Sequence, residues 1–135
     1  MAPTLRRWIP GSVFGVLMLT ACAATEKEPV TTNHCSAKAR GDHVVGSFDA
    51  MDTTERATRH LSLMFATRDE SGYYSGADHQ EYTVHILPKR SAKLRFRIYV
   101  GREFIADYRG VECVIEDVTF DDGSTWSRKV PMQWP

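Results

Sequence analysis

Five histidines, His34, His43, His60, His79 and His85, are the first residues to test for chemistry. None stands at the spacing of two metal ligands on one helix or strand face, and His85 shares a strand face with Thr83, away from Tyr82, Val84 and Ile86. The dipeptides Asp42-His43 and Asp78-His79 offer imidazole and carboxylate together, which makes a metal site only if the fold brings them into contact. There is no Gly-x-Ser-x-Gly elbow, phosphate-binding loop, Cys-x-x-Cys pair or His-Glu-x-x-His helix. The carboxylates are numerous but form no recognisable acid–base pair. The expectation is therefore a non-enzymatic chain with no catalytic residue, no metal ligand set and no cofactor.

Contact chemistry is better represented. Residues 68–80, RDESGYYSGADHQ, read as a long connection between strands, and long connections are often functional. Within them Tyr73 and Tyr74 supply rigid amphipathic contact area among adaptable Ser and Gly residues. Arg95 and Arg97 stand on the polar side of a strand and form a basic edge, so these four residues are the candidates for partner binding. Arg40-Gly41-Asp42 spells an adhesion tripeptide, but a turn ahead of a first strand explains it as well, with Gly41 supplying the freedom.

Location is written at the start of the chain. Arg6 and Arg7 precede an apolar run over residues 8–21, as in a secretory signal. As a helix that run would reach about 21 Å, short of the roughly 30 Å hydrocarbon core of a bilayer. It ends in Leu19-Thr20-Ala21-Cys22, which resembles the lipobox of bacterial lipoproteins. The resemblance implies cleavage before Cys22, acylation of Cys22, and membrane attachment through that lipid. Ala23 and Ala24 after the cysteine look like the outer-membrane class, so the expected location is the periplasmic face of the cell outer membrane. Residues 1–21 are then the cleaved signal peptide. Residues 22–34 are the lipidated cysteine and a polar, flexible tether, with a reach of roughly 20 Å. Residues 35–135 form a single domain.

With Cys22 carrying lipid, Cys35 and Cys113 remain in an oxidising compartment, and a disulfide between them is expected. It closes a loop of about 79 residues and contributes about 4 kcal/mol in the chain-entropy picture. The whole chain has 17 basic and 17 acidic residues; removing Arg6 and Arg7 leaves 15 against 17, a net charge of −2. That balance argues against nonspecific nucleic-acid binding. The charges are segregated along the chain. Lys89, Arg90, Lys93, Arg95, Arg97 and Arg102 form a basic block, and Glu103, Asp107, Glu112, Glu116, Asp117, Asp121 and Asp122 an acidic one. Pairing of the two blocks across neighbouring strands is the simpler reading. A basic face for an anionic ligand or partner is the alternative.

The elements that must position these residues are strands. Leu94, Phe96, Ile98 and Val100 alternate with Lys93, Arg95, Arg97 and Tyr99, and period two recurs in Leu61, Leu63 and Phe65 and in Tyr82, Val84 and Ile86. Val111, Cys113 and Ile115 alternate before the phase shifts to Val118 and Phe120, which predicts a β-bulge or a strand end near Glu116. Asp122-Gly123 predicts a hairpin, Gly101 a tight turn into a strand at residues 104–108, and an earlier strand is expected around residues 43–48. Asp52 with Glu55 resembles a capping box for one short helix at residues 53–59. The expected fold is an all-β antiparallel sandwich of six to seven strands, immunoglobulin-like in architecture, with a small β-barrel as the alternative.

These readings converge on an outer-membrane lipoprotein whose domain binds an envelope protein as an assembly accessory or structural component. Two alternatives stand beside it. One is an immunity protein or inhibitor acting on a toxin or wall-degrading enzyme. The other is a small-ligand or metal-binding module.

Overall fold

The computed structural model describes residues 27–129, so the expected signal peptide and Cys22 lie outside the described residues. Seven strands follow one another: β1 (Val30–Arg40), β2 (His43–Asp52), β3 (Thr58–Asp69), β4 (Tyr74–Ile86), β5 (Ser91–Tyr99), β6 (Tyr108–Phe120) and β7 (Thr125–Ser127). They form two antiparallel sheets, one ordered β1-β2-β5 and the other β4-β3-β6-β7, packed face to face. This is a β-sandwich, not a closed barrel. An immunoglobulin constant domain places its fourth strand beside the first, second and fifth. Here β4 belongs to the other sheet.

The alternating residues make the interior. Phe48 from β2, Leu61, Leu63 and Phe65 from β3, Phe96 and Ile98 from β5, and Ile115, Val118 and Phe120 from β6 are all buried. Phe65 stacks on Phe96 across the two sheets with ring centroids 4.4 Å apart, and Phe48 and Tyr82 meet edge to face at 5.7 Å. Each such side chain contributes about 1.5–3 kcal/mol by leaving water. The predicted phase slip is a bulge: Asp117 pairs with Ser62 and Ile115 with Leu63, leaving Glu116 as the extra residue. The expected disulfide is present, linking Cys35 of β1 to Cys113 of β6 and thereby one sheet to the other.

Four local expectations are corrected. The strand β1 takes in residues 30–34, which the sequence reading assigns to the tether, and Val30 is fully buried. Its inward positions, Val30, Thr32, Cys35 and Ala37, include one sizeable aliphatic side chain, and a register shift between Asn33 and Ser36 breaks the alternation. The Arg40-Gly41-Asp42 turn consequently joins two strands. Residues 53–57 are not helical, because Asp52 completes a turn instead. One carboxylate oxygen accepts from the Thr54 amide and hydroxyl at 2.8 and 2.7 Å, and the other from the Thr58 hydroxyl at 2.9 Å. Residues 104–107 contain a 3₁₀ turn at Ile105–Asp107 and no strand. Gly101, at φ +100°, accepts from the amides of Phe104 and Ile105 and so winds the chain locally. Finally, residues 68–80 are not a long loop, as described below.

Candidate functional site

The hairpin joining β3 and β4 holds Tyr73 and Tyr74. Ladder pairing continues from Ala66↔Ala77 to Arg68↔Tyr74, so the connection is four residues long. Polar residues on an exposed edge strand had the composition of a loop. Asp69 organises the turn by accepting from the amides of Ser71 and Tyr73 at 2.9 and 3.0 Å. Tyr73 projects outward and is 62% exposed. Tyr74 does not: its ring lies under the Arg68 guanidinium, 4.3 Å from the cation, and its hydroxyl donates to Glu112 at 2.8 Å. Arg68 also donates to Glu112 through Nε at 2.7 Å and to the Gly72 carbonyl at 2.8 Å. The carboxylate of Glu112 raises the pKa of both the Tyr74 phenol and the Arg68 guanidinium. Tyr74 is thus a brace for the hairpin, and Tyr73 alone is offered outward.

Arg95 and Arg97 lie elsewhere, on the outer face of the β1-β2-β5 sheet. Register places Lys38, Val45 and Arg97 in one row across that face, and Ser36, Ser47 and Arg95 in the next. Arg40, His43 and Tyr99 form the row toward one end, while Asn33, Asp49 and Lys93 form the row toward the other. Lys38 and Arg40 therefore flank β2 on one side, and Lys93, Arg95 and Arg97 on the other. The two rails are about 10 Å apart, and cations within a rail are about 7 Å apart. Between them runs an open trough of about 580 Å³, floored by Val45, Gly46 and Ser47. Among the described residues none of the five cations has a carboxylate partner. Asp49, the carboxylate on the face, pairs with His34 at 2.9 Å. At the end of the face His43 hydrogen-bonds Asp42 at 2.7 Å and thereby lowers the Asp42 pKa.

The anticipated pairing of basic and acidic blocks does not occur, because β5 and β6 belong to different sheets. Glu112 is taken by Arg68, and Glu116 lies 3.8 Å from Arg128. The outer face of the second sheet carries Glu81, Glu112 and Asp117 beside Arg68, so the two outer faces differ in sign. The dipeptides Asp42-His43 and Asp78-His79 fall in different sheets as well.

Two features escape sequence reading. The free edge of β5 is closed by side chains from β4: the Tyr82 hydroxyl donates to the Arg95 carbonyl at 2.9 Å and Gln80 Nε2 to the Arg97 carbonyl at 2.8 Å. Burial pushes the Tyr82 phenol up to about 12. At the opposite edge the Tyr108 hydroxyl donates to the Ala37 carbonyl at 3.2 Å. These bonds pair outward carbonyls at the two edges of the β1-β2-β5 sheet and make those edges a poorer template for an added strand. The second feature is a pole. Tyr73, Tyr99 and Phe104 are 62%, 67% and 53% exposed, and they sit on the β3–β4, β5 and β5–β6 segments at one end of the sandwich. The chain enters β1 at the other end, where the Pro29 carbonyl accepts from the Thr53 amide and hydroxyl, both at 2.9 Å. A polarity of this kind depends on strand direction, which the sequence does not print.

Compared with known proteins, the sequence matches no protein family and no curated protein. Among solved structures, the fold resembles a hypothetical protein from Peptoclostridium difficile 630. The TM-score is 0.61 at 10% identity, over 78% of this chain and 89% of the other. At that identity the likeness is one of backbone architecture.

Proposed function

We propose that this chain is an outer-membrane lipoprotein whose periplasmic β-sandwich is a non-catalytic module for binding an envelope protein. The observation that carries this reading is the pole. Among the described residues, three of the four exposed large apolar side chains, Tyr73, Tyr99 and Phe104, gather at the end away from where the chain enters, with Leu87 the exception. Exposed aromatics on converging loops are typical anchors for a protein partner. An anchor at Cys22 would hold the opposite end near the membrane and leave this pole free.

The anchor and the pole are tested separately. Incorporation of labelled palmitate should depend on Cys22 and vanish in Cys22→Ser. Replacing Tyr73 and Phe104 by Ala should abolish capture of the native partner while leaving the melting curve unchanged. Unchanged capture by a folded double variant rules the pole out. If the captured protein is one toxin or wall hydrolase, bound near one to one, the domain is an immunity protein or inhibitor using the same surface.

A further inference from the structure

The cationic trough is chemically distinct from the pole and adjoins it, since Tyr99 ends the same outer face that carries the cations. We propose that the outer face of the β1-β2-β5 sheet docks onto anionic phospholipid, laying the domain on its side at the membrane; the proposal rests on the reading that Cys22 is acylated. The face presents Lys38, Arg40, Lys93, Arg95 and Arg97 in one plane, with Asp49 already paired to His34. A plane of cations without carboxylate partners suits a fluid anionic surface, where each basic residue strengthens binding roughly fivefold. None of the five is held by a carboxylate among the described residues, and Arg97 Nη2 lies 3.5 Å from His43 Nδ1.

The leash supports this orientation. Pro29 is buried and hydrogen-bonded to Thr53, so the free span from Cys22 to Pro29 is seven residue steps, at most about 25 Å. An anchored domain therefore stays within about 25 Å of the bilayer, near enough for its cationic face to swing onto an anionic surface. End-on contact would offer the turns holding Glu55, Asp121 and Asp122 beside Arg56, Lys89 and Arg90, a balanced set. The other outer face carries Glu81, Glu112 and Asp117 beside Arg68, which is paired with Glu112, and so offers an anionic surface no excess of cations. Lying on the cationic face also directs the aromatic pole along the membrane plane, toward a partner held at the same surface.

The test uses the chain from Ala23 onward, made without lipid and containing every described residue. It is sedimented with vesicles of phosphatidylethanolamine and phosphatidylglycerol, and separately with phosphatidylethanolamine and phosphatidylcholine. Binding is expected to the first alone and to disappear at high salt. Arg95→Gln with Arg97→Gln should weaken it roughly 25-fold, at roughly fivefold per cation. Arg59→Gln with Arg109→Gln, which lie off this face, should leave it unchanged, and matching melting curves exclude unfolding. No binding to the anionic vesicles, or equal loss in both pairs of variants, overturns the proposal. Binding to polyglutamate but not to vesicles also overturns it and assigns the face to an acidic protein. Because this protein has no acyl chain, these outcomes are independent of the palmitate experiment on Cys22.

Discussion

The Tyr82 hydroxyl of one sheet donates to the Arg95 carbonyl of the other, 2.9 Å away, and closes the edge beside the cationic face. The same side chain packs its ring against Phe48 at 5.7 Å, so one residue serves both the core and the rim. Replacing Tyr82 by Phe keeps the ring and leaves the carbonyl to water, which should cost about 1 kcal/mol in urea unfolding. The variant should also show a different alkaline limit. Burial raises the folded-state phenol from 10.0 to about 12. The folded state therefore holds its proton more tightly, and this contribution is complete below pH 10 and lost as pH rises toward 12. Tyr82→Phe should flatten the stability decline in that window. A decline identical to the parent's would show that Tyr82 is not its source.

The bond between Cys35 and Cys113 ties β1 to β6 across the sandwich. Reducing it should lower stability by about 4 kcal/mol, with the exact figure depending on residual structure in the unfolded chain. The loss should fall first on β1, an edge strand with few large inward side chains. Hydrogen exchange with and without reductant checks this, and β1 amides should accelerate before those of β3.

Glu112 holds Arg68 and Tyr74 together, and the three fix the hairpin carrying Tyr73. Because the group is partly solvated, Glu112→Gln should change global stability little. Local effects should be larger. The Tyr74 phenol, now raised chiefly by its hydrogen bond to Glu112, should titrate at lower pH, readable by tyrosine absorbance. Unaltered titration would show that the contact does not persist in solution.

Gly46 lies where β1 and Phe96 close over β2. A Cβ there would stand 2.2 Å from the Ser36 carbonyl oxygen and 2.7 Å from the Phe96 ring. Gly46→Ala should therefore destabilise the domain by about 1–3 kcal/mol, the range for overpacked interiors. A chemical denaturation curve decides it, and a neutral result would mean that β1 can shift outward without loss.

What the sequence made legible followed from period two. In β3, β5 and β6 the large apolar residues face one interior, so their alternation survives intact, and even the Glu116 bulge announces itself as a phase slip. β1 is not legible because its inward positions after Val30 are Thr32, Cys35 and Ala37, none of them a large apolar side chain, and Ala37 packs where a Cβ on Gly46 would come within 2.5 Å. The β3–β4 hairpin has the composition of a loop because β4 is an edge strand whose Ala77, His79 and Glu81 face solvent. The candidate site was half visible. Exposed cations at alternate positions mark a face, and Arg95 and Arg97 were found that way. The Arg68 contact of Tyr74 is not legible, because a tyrosine in a turn looks the same in sequence whether it points outward or lies beneath an arginine. The sheet partner of each strand is a tertiary fact, and it decides whether basic and acidic blocks meet.

The claim that an aromatic pole on an anchored domain contacts an envelope protein is tested most directly by a photocrosslinker. A benzoylphenylalanine placed at position 104, and in a separate chain at position 59 on β3, is irradiated in intact cells, and the adducts are identified by mass spectrometry. The account predicts one dominant protein adduct from position 104 and none of the same mass from position 59. Equal labelling from both positions, or no protein adduct at position 104 in a folded, membrane-attached chain, would contradict it.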